Sequence, residues 1–167
     1  MKQLTLAFLL LGAASGAFAQ KTAKTKKKKT VNEIVSVSMH RTVCFGQCPD
    51  YIIDINASGM ATYTARMFTP DTGVFRKNIG KAKATEIIAL FKKYRVDTCS
   101  EMYENPLSDL PGLNMYINYK KGKKKSIFNC SFGPAFLKEI AESMDAVGKK
   151  EEITDKTWKK TGMPKMQ

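Results

Sequence analysis

Short segments in which apolar and polar residues alternate recur along this chain, and two segments with helical spacing interrupt them. Alternation with a period of two is typical of strands that bury one face, whereas a spacing of three to four residues is typical of amphipathic helices. Three or four alternating segments come first, followed by one helical segment, a hairpin and a second helical segment. This order predicts an α+β fold: an antiparallel sheet of about five to six strands with two amphipathic helices packed on one face.

Turn-forming residues separate the predicted strands. The segments 56–59 and 69–73 contain Asn, Gly, Pro and Asp residues that favour tight turns. In the first strand we expect Val35, Val37 and Met39 to form the buried side, because they alternate with polar residues. The predicted strands lie at residues 35–39, 51–56, 60–68, 74–79, 113–119 and 126–132.

Two segments predict helices through the spacing of their apolar residues. Residues 82–94 place apolar side chains on one stripe and lysines on the other faces. The second helix is expected to begin after Gly133 and Pro134, because proline is tolerated in the first turn of a helix. The residues predicted to be buried are Ala84, Ile87, Ile88 and Phe91 in the first helix and Leu137, Ile140, Ala141 and Met144 in the second.

The start of the chain reads as an export signal. Residues 1–19 contain a charged start at Lys2, an apolar run and the small-residue motif Ala17-Phe18-Ala19 before the expected cleavage site. The apolar run is far shorter than the roughly 20 residues that a membrane helix needs, and no later segment approaches that length. We therefore expect a soluble periplasmic or secreted protein without a transmembrane segment.

Composition divides the remainder of the chain into three parts. Residues 20–32 are predicted to be a disordered lysine-rich tether, because they hold too few apolar side chains to collapse. Residues 33–147 are expected to form a single α+β domain, a length that one hydrophobic core can serve. Residues 148–167 are predicted to be a polar C-terminal tail, in which Ile153 and Trp158 are the large side chains that could dock on the domain.

Four cysteines in an exported chain predict disulfide bonds, because oxidising compartments preserve them. Four cysteines permit three pairings into two bonds, and sequence alone leaves the choice open. We favour Cys44 with Cys48, because Gly46 lets the short link between them bend back. Cys99 and Cys130 could then form a second bond, or Cys130 could be a buried thiol on the apolar side of its strand.

A thiol-redox or copper-handling protein is the alternative function for the same cysteines. Thiol exchange requires an acidic thiol, usually at the start of a helix, whereas Cys48 leads into Pro49 and an alternating strand. His40, Cys44 and Cys48 have the spacing of metal ligands. The Cys-x3-Cys-Pro string resembles the copper site of thioredoxin-fold copper-delivery proteins, which implies Cu(I) as cargo.

That resemblance fails in its context. In the copper-delivery family a helix follows the string and a distant histidine completes the site, whereas here a strand follows and His40 is the only histidine. His40 is also the sole candidate base for a serine nucleophile, and neither a Gly-x-Ser-x-Gly elbow nor a glycine-rich phosphate loop is present. We therefore assign no catalytic residue, metal or cofactor and interpret the domain as a disulfide-braced binding or interaction module.

The charge of the chain is the remaining guide to partners. Its formal net charge of +13 comes mainly from lysine, since the 28 basic residues include four arginines. The lysines of residues 21–29 and 120–125, the latter beside Tyr116 and Tyr119, predict weak, salt-sensitive contact with polyanions. A solvated tail and a lysine-protected hairpin tip are the alternative interpretation. Because export argues against nucleic acid, we expect an envelope protein or glycan as partner.

Residues 41–51 read Arg-x-x-Cys-Phe-Gly-x-Cys-Pro-x-Tyr. This string resembles the signature of an exported bacterial family known only as a domain of unknown function, and the similarity extends over about residues 33–147. The resemblance implies a compact module behind a signal peptide and no assigned activity. Arg41 and Asp109 are candidate binding residues, and the Arg41 guanidinium is expected to hold loop carbonyls or to pair with Asp50 or Asp109.

Overall fold

The structure, a computed structural model, describes residues 33–107, 109–148 and 157–165. The predicted signal peptide, the predicted tether and Ile153 lie outside the described residues. The strands and helices follow in the order β1 (Ile34–Arg41), β2 (Asp50–Asn56), β3 (Met60–Met67), β4 (Gly73–Asn78), α1 (Lys81–Lys93), β5 (Leu113–Tyr119), β6 (Lys124–Ile127), α2 (Ala135–Asp145) and β7 (Lys159–Gly162).

The strands of the described chain form one sheet in which every neighbouring pair is antiparallel. Their order across the sheet is β6-β5-β1-β2-β3-β4-β7. With the two helices, this arrangement confirms the predicted α+β fold, although seven strands exceed the five to six expected. Arg41 lies opposite Tyr51 on one side and Leu113 on the other, which brings the end of β1 next to the starts of β2 and β5.

The hydrophobic core lies between the sheet and the two helices. Successive strand residues point to opposite faces, and the register assigns the large buried side chains of the central strands to a single face. Both helices bury the four-residue stripes predicted from their spacing. Fully buried side chains include Met39, Ile53, Tyr63, Phe91, Met115, Ile117, Leu137 and Ile140. The opposite face of the sheet carries mostly polar side chains, among them Ser36, Ser38, His40, Asp54, Thr62, Thr64 and Asn118.

β1 departs from the predicted alternation at its start. We expected a buried Val35, but this side chain is 39% exposed and Ile34 is buried instead. The register of β1 against β5 shifts between Ile34 and Ser36, and such a bulge changes the face on which the preceding side chains lie. The prediction for Val35 is therefore wrong, whereas those for Val37 and Met39 are confirmed.

β6 is shorter than its predicted span of residues 126–132. The strand ends at Ile127, and Asn129 has a φ of 56°, in the left-handed region that asparagine tolerates better than most residues. Residues 130–132 then form a short 3-10 turn before α2. Cys130 is therefore buried in this turn, and its expected place on the apolar side of a strand is wrong.

The seventh strand comes from the segment that the sequence predicts to be a polar tail. β7 pairs with β4, and Trp158, just before it, is 6% exposed in the core. The Trp158 ring contacts the Tyr63 ring edge-on at a centroid distance of 6.3 Å. All four residues of β7 are exposed, and none is apolar, so this strand lacks the alternation that reveals the others.

Candidate functional site

Three connecting segments meet at one end of the sheet. Residues 42–49 connect β1 and β2, and we call them the cysteine loop. The β3–β4 turn, residues 68–72, lies on one side of this loop, because Asp50 pairs with Met67. Residues 105–107 and 109–112 lie on the other side, because they lead into β5, the second neighbour of β1. The cysteine loop therefore lies between these two segments.

Backbone hydrogen bonds tie the cysteine loop to the segment before β5. The Thr42 amide donates to the Gly112 carbonyl at 3.0 Å, and the Gly112 amide donates to Thr42 Oγ1 at 2.9 Å. A Cβ atom on Gly112 would lie 2.6 Å from Thr42 Oγ1, so glycine permits this close approach. The Phe45 amide donates to the Asp109 carbonyl at 3.5 Å, which places candidate residue Asp109 beside the loop.

A disulfide bond closes the cysteine loop. It joins Cys44 and Cys48, the pair that the sequence favours, with their Cα atoms 5.4 Å apart. The Gly46 amide donates to Cys44 Sγ at 3.3 Å. β2 follows the loop, so Cys48 does not precede a helix whose N-terminus would stabilise a thiolate. This geometry favours a structural bond over thiol exchange.

We expect the double substitution Cys44→Ser and Cys48→Ser to lower the free energy of unfolding by about 2 kcal/mol, because the unfolded chain regains the freedom that the closed loop removes. Urea unfolding followed by circular dichroism measures this change. The Cys99→Ser variant is the matched control, since Cys99 is a free thiol, and it should keep the sensitivity of the unaltered protein to reductant. Equal stability with and without reductant in the unaltered protein would contradict the prediction.

Cys99 and Cys130 are free thiols, so the second bond that the sequence allows is not formed. Cys130 is buried, and its Sγ donates to the Ile127 carbonyl at 3.4 Å. Burial raises the pKa of the Cys130 thiol to about 12. Cys130 is therefore the buried, unreactive thiol of the two interpretations that the sequence left open.

A charged network ties both strands that flank the cysteine loop to the end of α2. Arg41 Nε donates to Asp145 Oδ2 at 3.0 Å, and the Arg41 Nη2 group donates to the same oxygen at 2.5 Å. The Tyr51 hydroxyl donates to Asp145 Oδ1 at 2.6 Å. Burial and then the hydrogen bond to Asp145 raise the pKa of Tyr51, so its hydroxyl remains a donor at every physiological pH.

The partner of Arg41 corrects the sequence expectation, which named loop carbonyls, Asp50 or Asp109. Arg41 lies on the face of the sheet that the helices cover, so its guanidinium reaches Asp145 of α2 in a two-pronged contact. Asp50 faces the other side, where its carboxylate contacts His40 and Arg66. The Arg41 side chain therefore links the start of the cysteine loop to the end of α2.

His40, a ligand in the metal alternative, lies on the polar face of the sheet. Its Nε2 atom is 2.8 Å from Asp50 Oδ1, and Arg66 Nε is 3.6 Å from Asp50 Oδ2. The other two residues of that alternative, Cys44 and Cys48, are bonded to each other. In the part of the chain that the structure describes, no three His, Cys, Asp or Glu side chains form a cluster that could hold a metal ion.

Exposed apolar side chains lie on the three segments at this end of the sheet. Phe45, inside the disulfide ring, is 92% exposed. We call the following exposed residues of the three segments and their borders the apolar rim: Val43, Phe45, Met67, Phe68, Leu107 and Leu110. Sequence periodicity did not predict this surface. The signal in the sequence that could have indicated it is a phenylalanine between Cys44 and Cys48, the two cysteines that form the disulfide.

The lysine-rich hairpin tip lies between β5 and β6. Tyr116 and Tyr119, which the sequence places beside the lysines as possible aromatic contacts, point to opposite faces of β5. Tyr116 contacts Phe128 at a centroid distance of 6.1 Å, whereas Tyr119 is buried on the helix side. Lys120 pairs with Glu33 at 2.9 Å. A joint aromatic platform for polyanions is therefore not formed.

Within the described ranges, no helix is long and apolar enough to cross a membrane. The fold and the site together define an antiparallel α+β domain that displays an aromatic side chain on a disulfide-closed loop. The chain belongs to the family described as domain of unknown function DUF6438, which matches residues 35–148. This match confirms the expected membership in a family of unknown function. No curated protein and no solved structure matches the chain.

Proposed function

We propose that this protein is an exported, non-enzymatic binding module of the periplasm or cell envelope, and that it binds an envelope protein through the apolar rim. The exposure of Phe45, 92% on a closed loop, carries the proposal. Moving such a side chain from water into an apolar pocket contributes about 1.5–3 kcal/mol. Fully buried aromatic side chains of this kind dominate the binding energy of many protein interfaces.

The construction of the loop supports a role in binding. A flexible loop loses conformational freedom when it binds, and this loss weakens the complex. Here the disulfide, the hydrogen bonds to Gly112 and Asp109, and the contacts of Arg41 and Tyr51 with Asp145 already restrict the loop in the free protein. Much of the conformational freedom that a flexible loop would lose on binding is therefore already lost when this protein folds.

The composition of the apolar rim favours a protein over a glycan as partner. Four of its six members are Val, Met or Leu side chains, which are aliphatic or thioether groups, and two are phenylalanines. Methionine and aromatic residues are enriched in the buried centres of protein interfaces.

Two features support export. Residues 1–19 have the pattern of a signal peptide. Disulfide bonds persist in oxidising compartments, so the Cys44–Cys48 bond fits an extracellular location. A reduction potential of this bond far below the potential of the compartment is expected. A value close to that of the compartment would instead favour the thiol-redox alternative.

The test compares three forms of the full chain, each immobilised and exposed to envelope extract from the producing cells. Phe45→Ala removes the proposed anchor, and Met102→Ala removes an exposed apolar side chain that is not part of the rim. We expect a specific protein that is retained by the unaltered chain and by Met102→Ala, and whose affinity falls by about thirtyfold with Phe45→Ala. Quantitative mass spectrometry identifies that protein, and calorimetry measures its affinity.

Both substitutions replace exposed side chains, so the free energy of unfolding should change by less than about 0.5 kcal/mol. A loss of binding with Phe45→Ala at unchanged stability therefore reports on the interface. Equal retention of all envelope proteins by the unaltered chain and Phe45→Ala would contradict the proposal.

A further inference from the structure

A concave site lies at the other end of the sheet from the cysteine loop. Its cavity has a volume of about 570 Å³ and opens between the end of α1, the start of β1 and the β5–β6 turn. Ile34 and Tyr119, which pair across β1 and β5, form part of its wall. Cavities of roughly 300–1,000 Å³ are typical of small-molecule sites.

The Tyr119 hydroxyl is the unusual group of this cavity. Tyr119 is 5% exposed, and its hydroxyl has no hydrogen-bond partner among the residues that the structure describes. Buried polar groups in folded proteins are nearly always hydrogen-bonded, so an orphaned hydroxyl in a cavity wall points to a ligand atom as its partner. Burial and then the charge of Asp97 raise the pKa of this hydroxyl, so it can donate a hydrogen bond at neutral pH.

The excess of positive charge in the cavity wall indicates that the ligand carries negative charge. Five basic and three acidic residues line the cavity. Two of the acidic residues form ion pairs with basic residues of the wall: Asp97 with Arg95 at 3.1 Å and Glu101 with Lys125 at 3.6 Å. The third, Glu33, pairs with a lysine outside the wall at 2.9 Å.

The remaining cations of the wall are lysines. Lys92, Lys123 and Lys124 make no ion pair within the described residues. Lys123 Nζ lies 5.8 Å from the centroid of the Tyr119 ring, so one ammonium lies over the ring that carries the orphaned hydroxyl. Lysine binds anionic oxygens as a point charge, without the fixed geometry that arginine imposes.

We propose that this cavity binds a small molecule that joins a phosphate or carboxylate group to an apolar body. The anionic oxygens accept a hydrogen bond from the Tyr119 hydroxyl and lie near the Lys123 ammonium. The apolar body packs against Ile34 and Phe91, the apolar side chains of the wall. This site is distinct from the apolar rim, because the two occupy opposite ends of β1.

Isothermal titration calorimetry on the full chain at low salt tests the proposal. Phenyl phosphate and benzoate supply the two anionic groups on a common ring, and benzyl alcohol supplies the ring without a charge. We expect saturable one-site binding of phenyl phosphate or benzoate and at least tenfold weaker binding of benzyl alcohol. The tighter of the two anions identifies the natural head group. Equal binding of benzyl alcohol, or no binding of either anion, would overturn the proposal.

Tyr119→Phe tests the hydroxyl by itself. It removes one oxygen that makes no hydrogen bond within the described chain, so the variant should unfold at the same or a higher urea concentration. We expect it to weaken anion binding by about tenfold, since a hydrogen bond to a charged group is lost. An unchanged affinity in the folded variant would overturn the role of Tyr119 and with it the proposal.

Two lysine variants separate a shaped site from general attraction to positive charge. Lys123→Gln should weaken anion binding several-fold, whereas Lys138→Gln, on α2, should leave it unchanged. Equal effects of the two substitutions would overturn the proposal in favour of diffuse electrostatics. Tight binding of heparin with no measurable binding of either anionic probe would overturn it as well, because the lysines would then serve an extended polyanion.

Discussion

Replacement of Gly59 by alanine is expected to lower the free energy of unfolding by about 3 kcal/mol, because it combines backbone strain with a steric clash. Gly59 has a φ of +100°, which residues with a Cβ atom rarely adopt. An added Cβ would lie 2.5 Å from the carbonyl carbon of Gly80 and 2.7 Å from the Lys81 nitrogen. Both atoms belong to the backbone at the start of α1, so relief requires a shift of the helix.

The contact at Gly59 joins two parts of the fold. Its amide donates to the Asn56 carbonyl within the β2–β3 turn, and its carbonyl accepts from the Ile79 amide just before α1. The Asn56 side-chain oxygen also accepts from the amides of Ser58 and Met60. The turn and the helix start therefore depend on one glycine, which explains the large expected loss.

Gly122→Ala is the matched control for this prediction. Gly122 also has a positive φ, +80°, but an added Cβ would meet no atom within 4 Å. We expect this substitution to cost only the backbone strain, about 1 kcal/mol. Urea unfolding followed by circular dichroism measures both variants. Equal losses would show that the close approach between the turn and α1 contributes nothing to the effect.

Local periodicity predicts much of this fold, because one buried face imposes a regular pattern on a strand or a helix. The stripes of both helices were found buried, as predicted. The exposure of Val35 was not predicted, because a single bulge changes the face on which the preceding residues lie. β7 was not predicted, because a fully exposed edge strand needs no alternation of apolar and polar residues. These failures arise where pairing with another strand, and not local burial, determines the structure.

The site shows the same division between local and distant information. The Cys44–Cys48 bond was favoured from a spacing of four residues and an intervening glycine, which are local features. The partner of Arg41 is 104 residues away on α2, and only the folded chain brings them together. The opposite orientation of Tyr116 and Tyr119 was available from the sequence, since residues three apart in a strand lie on different faces.

Asp145 is the residue through which α2 contacts both ends of the cysteine loop. Arg41 ends β1 and Tyr51 follows the start of β2, so one carboxylate binds a side chain on each side of the loop. The disulfide restricts the interior of the loop, whereas Asp145 holds its two ends against the helix layer. Loss of either restraint should increase motion at Phe45, and loss of both should have the larger effect.

Asp145→Ala is therefore expected to lower the free energy of unfolding by about 2–3 kcal/mol. Removal of one member of a buried ion pair costs about 3–5 kcal/mol, and the partial exposure of this pair reduces the cost. The side chains of Arg41 and Asp145 are 29% and 23% exposed. The substitution leaves the Arg41 guanidinium and the Tyr51 hydroxyl partly buried without their acceptor. Urea unfolding measures the stability, and hydrogen exchange of the Phe45 and Gly46 amides reports on the loop.

Two variants on α2 separate the contribution of the network from that of the helix. Asp145→Asn retains a carbonyl acceptor but no charge, so its loss should be smaller than that of Asp145→Ala. Glu142→Ala removes an exposed carboxylate from the same helix and should change stability by less than about 0.5 kcal/mol. Exchange at Phe45 and Gly46 should accelerate in the Asp145 variants alone. If Glu142→Ala matched Asp145→Ala in stability and in exchange, the effect would belong to the helix, and Asp145 would not restrain the loop.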